Sequence, residues 1–98
     1  MNKTHFLDLP ADRQDRLRVL ALRRFLPGAG TSYDLLTMPE FQTVADQSVS
    51  RLLYGMSYSG LLDRYGATSG RTYMTNRIGY VVLVTLDESL RQKLRNGG

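Results

Sequence analysis

The pattern of apolar residues changes at Gly60, and this change limits what the chain can fold into. Before Gly60, apolar side chains recur at the three- and four-residue spacing of amphipathic helices, as in Val49, Leu52 and Met56. After Gly60 this spacing is lost, and residues that favour extended structure become frequent. A chain of 98 residues accommodates one domain with a modest core. The sequence therefore predicts an α+β domain, mainly α, in which helices precede a smaller β part.

Three amphipathic segments precede Gly60, separated by glycine and proline. They are predicted as helices over residues 11–26, 32–38 and around 46–58. Thr31 or Ser32 is the expected cap of the second helix, and Pro39 interrupts or ends it. Asp46 or a neighbour caps the third helix, and Gly60 suits the left-handed backbone conformation that ends it. Residues 1–9 are interpreted as an N-terminal arm.

The part after Gly60 is predicted as a hairpin of two or three strands. Its segments are an extended start at Leu61, a loop at 66–70, a β-prone stretch at 71–75, a turn at 76–79 and a strand at 80–86. The last segment, YVVLVTL, is rich in β-branched residues, which favour strands. Asp87 is expected to cap a short terminal helix. The main domain is therefore predicted to span residues 10–86, followed by a helix and tail at 87–98.

The stretch VSRLLYGMSYSGLLDRY at residues 49–65, followed by GRTYMTNRIGYVVLVTL at 70–86, resembles the recognition helix and wing of winged helix–turn–helix DNA-binding domains. The resemblance is to IclR-like and MarR-like bacterial regulators, and only residues 49–65 match closely. The matching positions are Val49, Ser50, Arg51, Leu52, Leu53, Met56, Gly60, Leu61, Leu62 and Arg64. One departure is LTMPEFQTVA at 36–45, which is longer and less regular than the usual second helix and turn.

This resemblance implies a sequence-specific regulator that binds duplex DNA, a small repressor-like protein of a bacterium, phage or plasmid, in the cytoplasm. A helix fits the major groove, which is about 12 Å wide, if its outer face offers short or planar polar groups. The outer positions expected to contact DNA are Gln47, Ser48, Ser50, Arg51 and Tyr54. Arg64, Arg71 and Arg77 are expected to supply further positive charge, with Arg77 in the wing tip. Gln47 suits adenine, and Arg51 suits guanine or phosphate.

Composition is compatible with an acidic partner but does not prove one. The net charge is +4, and eleven of the thirteen basic residues are arginines. Arginine forms bidentate contacts with phosphate and guanine, although a GC-rich genome raises arginine content in the same way. Residues 31–60 carry one base and three acids, which favours a protein-interaction module as the alternative function, for example a phage or plasmid inhibitor or adaptor. A DNA-structural role in replication, partition or excision is a further alternative.

The chain has few residues suited to catalysis or metal binding. Cysteine is absent, the single histidine is His5 in the arm, and the acids show no metal-binding spacing. GATSGRT at 66–72 lacks the glycine spacing and the lysine of a phosphate-binding loop. We therefore expect no enzyme activity, cofactor or metal, and the chain has no room for a separate sensor domain that would bind a small-molecule effector. No apolar run approaches the roughly 20 residues of a membrane helix.

Leu86, Leu90 and Leu94 form a stripe on the predicted terminal helix. One interpretation is a contact between two copies, because small DNA-binding domains commonly act as homodimers. The other is that the terminal helix folds back on the core of its own chain. The sequence favours the dimer contact and leaves the second interpretation open.

Overall fold

The computed structural model describes residues 3–66 and 71–96. The elements in this part of the chain are α1 (Ala11–Arg24), α2 (Ser32–Leu36), α3 (Asp46–Tyr58), β1 (Leu62–Tyr65), β2 (Thr72–Thr75) and α4 (Arg77–Arg95). Short 3₁₀ turns lie at Phe6–Asp8 and Pro39–Phe41. The protein is thus α+β and mainly helical, with a two-stranded antiparallel hairpin after the third helix, as the sequence predicts.

The core is formed by the apolar faces of α1 and α3 together with side chains from the connections between them. Its largest fully buried side chains are Phe25, Phe41, Leu17, Leu22, Leu35, Leu53, Val19, Val44 and Val49. Burial of each large side chain stabilises the fold by about 1.5–3 kcal/mol relative to exposure. The apolar positions Val49, Leu52 and Met56, which recur at helical spacing in the sequence, are all buried.

The second helix begins at Ser32, as the sequence predicts, and ends at Leu36, two residues before the predicted end at residue 38. The backbone N–H of Thr31 donates to Oδ2 of Asp34 at 2.7 Å, which is one half of a capping box. Asp34 also forms an ion pair of 3.0 Å with Arg24, so α2 is tied to the C-terminal end of α1. After α2, Pro39 starts a separate 3₁₀ turn and the helix does not continue.

The end of α3 is a Schellman motif built on Gly60. The N–H of Leu61 donates to the carbonyl of Met56 at 2.9 Å, and the N–H of Gly60 donates to the carbonyl of Ser57 at 3.1 Å. Gly60 has a φ of 85°, which is the left-handed conformation expected for it. This turn redirects the chain from α3 directly into β1.

Strand β2 joins the hairpin to the C-terminal end of α1. In the hairpin, Leu62 pairs with Thr75 and Tyr65 pairs with Thr72. The Thr75 hydroxyl donates to the carbonyl of Leu22 at 2.7 Å, and the Thr75 N–H donates to the carbonyl of Phe25 at 3.0 Å. The last carbonyls of a helix lack partners within the helix, so β2 satisfies groups that α1 leaves open.

We expect Thr75→Val to destabilise the protein by about 1–3 kcal/mol, because it removes a buried hydroxyl donor and leaves the Leu22 carbonyl unsatisfied at nearly constant side-chain volume. Urea denaturation measures the change. Thr85→Val is the matched control, because the Thr85 hydroxyl donates to a Val81 carbonyl in an exposed part of α4. Equal stability of Thr75→Val and the parent protein would contradict this role for the hydroxyl.

The predicted strand at 80–86 is wrong, because these residues belong to α4 (Arg77–Arg95). The predicted turn at 76–79 is the start of this helix, where the Asn76 side chain accepts a hydrogen bond from the N–H of Gly79 at 2.9 Å. Burial of Leu83 on the core outweighs the strand preference of the valines beside it. Asp87 therefore lies inside a continuous helix, and no boundary exists between residues 86 and 87.

Helix α4 packs along α1. Asp87 forms an ion pair of 3.3 Å with Arg23, and Lys93 pairs with Asp12. The hydrogen bond and the charge of Asp12 raise the pKa of Lys93. Leu86 and Leu90 pack against the core of their own chain. The fold-back interpretation is therefore correct for these two leucines, whereas Leu94 is 74% exposed.

Candidate nucleic-acid interface

The N-terminal arm is docked beside the start of α3. The N–H of Thr4 donates to the carbonyl of Thr43, and the N–H of Ala45 donates to the carbonyl of Thr4, both at 2.9 Å. Phe6 is buried in the core. Lys3 also forms an ion pair of 3.1 Å with Asp46, the first residue of α3. The arm therefore holds the N-terminal end of α3 and offsets the charge of its acidic residue.

Ser48 does not lie on the outer face of α3, so the prediction that it is exposed to DNA is wrong. Its side chain is buried, and its hydroxyl accepts a hydrogen bond from the N–H of Phe6 at 3.1 Å. Nδ1 of His5 lies 3.2 Å from the same oxygen. Ser48 is on the side of α3 that meets the docked arm, and this long-range contact is invisible in the local helical pattern.

The remaining predicted outer residues of α3 are exposed. We define the outer face of α3 as Gln47, Ser50, Arg51, Tyr54 and Tyr58. Tyr58 is 86% exposed, although it is not among the residues predicted to contact DNA. Its position four residues after Tyr54 on one helical face is the signal that identifies it. The opposite, inner side of α3 is buried in the core, so the outer face has a fixed orientation.

The hairpin brings two arginines against the outer face of α3. The guanidinium carbon Cζ of Arg64, on β1, lies 5.0 Å from the centroid of the Tyr54 ring. The Cζ of Arg71, just before β2, lies 5.7 Å from the same centroid. Both distances are within the range of cation–π attraction, which contributes about 0.5–1 kcal/mol at exposed sites. We call Tyr54, Arg64 and Arg71 the tyrosine–arginine cluster.

The arginines on this surface have no carboxylate partner within the described residues. None of the ion pairs among the described residues involves Arg51, Arg64 or Arg71. The basic residues that do form ion pairs are Lys3, Arg18, Arg23, Arg24, Arg91 and Lys93. Nε of Arg71 is buried and has no hydrogen-bond partner among residues 3–66 and 71–96. Asp63, the acid beside Arg64, instead accepts a hydrogen bond from Asn76 at 3.1 Å. The surface thus carries positive charge that the fold itself leaves uncompensated.

Arg77 does not lie at the tip of the hairpin, where it was predicted. It lies in the first turn of α4, after β2, and is exposed there. The hairpin loop that would form a wing tip is instead at residues 66–71, and residues 67–70 lie outside the described part of the chain. The loop predicted at 66–70 falls between the two strands, and all of it except residue 66 lies outside the described part of the chain. The wing-tip position for Arg77 is wrong because the predicted turn at 76–79 is helical.

The described residues contain no group of three or more His, Asp or Glu side chains that is able to hold a metal ion. No helix in residues 3–66 and 71–96 is both long enough and apolar enough to cross a membrane. The sequence matches no model of a known protein family, and it matches none of the curated proteins. The function is therefore inferred from the arginines without a carboxylate partner in the described residues and from the helix beside them.

Proposed function

We propose that the protein is a small winged helix–turn–helix regulator that binds duplex DNA in a sequence-specific manner, with α3 in the major groove and the hairpin on the adjacent phosphates. The observation that carries this proposal is the tyrosine–arginine cluster, in which two arginines lie beside the outer face of α3 and pair with no carboxylate of the described residues. Phosphate contacts of this type supply nearly all of the affinity for non-specific DNA and a large share of the affinity for specific sites.

The dimensions and chemistry of α3 suit the groove. An α-helix with its side chains is about 10–12 Å wide, close to the width of the major groove. The outer face presents an amide, a hydroxyl and a guanidinium on Gln47, Ser50 and Arg51. Gln pairs with adenine and Arg with guanine through two hydrogen bonds each, while Ser reaches phosphate oxygens. The buried inner side and the docked arm keep these groups in one orientation.

The hairpin supplies the positioning contacts. Because the ring of Tyr54 holds the guanidinium groups of Arg64 and Arg71, less side-chain entropy is lost when they bind phosphate. The arginine fork matches two phosphate oxygens at once. Pairing of Asp46 with Lys3 reduces the repulsion between phosphate and the N-terminal end of α3, the part that enters the groove in such proteins.

Arg51→Ala tests the base-reading role of α3. A binding-site selection with the purified protein first identifies its preferred duplex. We then expect the variant to lose about 1–3 kcal/mol of affinity for that duplex, and much less for random duplex, because one bidentate base contact is removed. Fluorescence anisotropy at constant salt measures both affinities. Arg16→Ala removes the same charge from α1 as a control, and parent-like binding by Arg51→Ala would refute this docking.

A second candidate function is the binding of a protein partner through the same surface. Tyr58 is 86% and Tyr65 is 52% exposed, and tyrosine is enriched in protein–protein interfaces. Arg51 is the only base on α3, which lowers the electrostatic affinity that this helix alone offers to DNA. Non-specific DNA complexes typically have Kd values of about 10⁻⁴–10⁻⁶ M and weaken with salt. Failure to bind random duplex in that range at low salt would favour the protein partner.

A further inference from the structure

Helix α4 exposes valines on the side that faces away from the core. Val81 is 58% exposed and Val84 is 50% exposed, whereas Leu83 between them is buried. β-Branched residues neither favour a helix nor gain from exposure to water, so this exposed pair on one face is suited to burial against another molecule. At 100° per residue, positions 77, 81, 84 and 88 fall within an arc of about 60°. We call Arg77, Val81, Val84 and Glu88 the α4 seam.

The α4 seam is complementary to itself when two copies run antiparallel. Arg77 precedes Val81 by four residues, and Glu88 follows Val84 by four residues. A two-fold axis halfway between the valines places Val81 of one copy opposite Val84 of the other. The same axis places Arg77 opposite Glu88, since each lies about 8 Å from the axis at a rise of 1.5 Å per residue. The contact between Val81 and Val84 and the ion pair between Arg77 and Glu88 each form twice, as in an isologous interface.

The charges of the seam are unused within one copy. Neither Arg77 nor Glu88 takes part in an ion pair among the described residues, and about 16 Å of helix separates them. The neighbouring acid, Asp87, is already paired with Arg23 and Arg91. Opposite charges at equal distances from an apolar centre complement a second copy of this chain when the two helices run antiparallel. An unrelated partner would need the same arrangement of charges and apolar residues by coincidence.

We infer that two copies associate through the α4 seam as an antiparallel, two-fold symmetric homodimer. This interface replaces the predicted contact through Leu86, Leu90 and Leu94, because the first two pack against their own core. Tyr80, which is 50% exposed, lies beside the seam and enlarges it. A single helix face buries less than the roughly 800 Å² per partner of a standard interface, so a Kd on the order of micromolar is expected. The inference is independent of DNA binding and is tested without DNA.

Sedimentation equilibrium across about 1–200 µM protein measures the dimer Kd. Arg77→Glu and Glu88→Arg each turn two attractive contacts into two repulsive ones, so each is expected to raise the Kd by about tenfold or more. The double variant Arg77→Glu/Glu88→Arg restores both pairs with the signs exchanged, and its Kd is expected within about threefold of the parent value. Such recovery requires contact between copies, because the two positions are too far apart within one helix.

Two further variants locate the interface. Val84→Lys places two charges close to the axis and is expected to raise the Kd by about 100-fold. Ser89→Glu adds a charge to an exposed position well outside the seam and is expected to leave the Kd unchanged. All substituted residues are exposed, and circular dichroism checks that each variant is folded. A parent protein that stays monomeric throughout the concentration range, or a double variant as weak as the single variants, would overturn the inference.

Discussion

Replacing Arg64 and Arg71 together by alanine is expected to weaken binding to duplex DNA of any sequence by about 2–3 kcal/mol, or roughly 30- to 150-fold. Both guanidinium groups lie against Tyr54 without a carboxylate partner in the described residues, and in the proposed complex each neutralises a phosphate. Loss of two phosphate contacts should also reduce the slope of log K against log salt concentration by about 1.8. Anisotropy titrations with random and selected duplexes over a series of salt concentrations measure both quantities.

The double variant Arg16→Ala/Arg95→Ala is the control for net charge. It removes the same two charges from exposed positions on α1 and α4, away from the tyrosine–arginine cluster. We expect its salt dependence to stay close to that of the parent protein. If both double variants lose the same slope, net charge rather than the position of Arg64 and Arg71 determines binding, and the proposed role of the hairpin is wrong. Thermal denaturation of each variant separates binding effects from loss of folded protein.

The three helices before Gly60 are predictable to within two residues, because local residues mark several of their ends. Asp46 itself does not cap α3, because Ala45 precedes the helix and Asp46 is its first residue. Thr31 and Asp34 define the start of α2, Pro39 prevents its continuation, and Gly60 supplies the left-handed residue that α3 needs. Between these signals, the buried positions of each helix recur at helical spacing. Local signals and the burial of apolar side chains agree in this half of the chain, whereas the burial of the polar Ser48 does not follow from them.

In α4 the local preference for a strand conflicts with the burial of one helical face. The valines at 81, 82 and 84 favour a strand locally, yet Gly79, Leu83, Leu86 and Leu90 form a helical stripe that packs on the core. No glycine or proline interrupts residues 80–96, and Asn76 is a suitable helix cap. The uninterrupted stretch and the Asn76 cap are the sequence features that favour a helix here. They outweigh strand propensity because burying one helical face stabilises the fold more than the preferences of a few valines oppose it.

The tyrosine–arginine cluster could be predicted residue by residue but not as a cluster. Its formation depends on the hairpin register that pairs Arg64 with Tyr73, and no tight Asn-Gly turn in the sequence specifies that register. Burial of Ser48 likewise depends on an arm more than 40 residues away in the chain. Both outcomes are set by long-range contacts, which a local pattern of residue types does not encode.

Gly79→Ala is expected to destabilise the protein by about 1–3 kcal/mol, although alanine ordinarily stabilises a helix relative to glycine. A Cβ at Gly79 would collide with the backbone carbonyl oxygen of Leu61 and would lie 3.0 Å from Cγ2 of Thr75. A backbone oxygen cannot rotate away as a side chain can, so α4 or the segment between α3 and β1 must shift. Urea denaturation of the variant and the parent protein measures the cost.

Gly55→Ala is the matched substitution, because Gly55 lies inside α3 and a Cβ there would meet nothing within 4 Å. It is expected to stabilise the protein by about 0.5–1 kcal/mol, through helix propensity alone. Both substitutions raise helix propensity by a similar amount. The difference between their free energies of unfolding therefore measures the cost of the close contact between α4 and Leu61. Equal stabilisation by both substitutions would mean that α4 does not cross the chain so closely, and the position assigned to the hairpin beside α3 would be wrong as well.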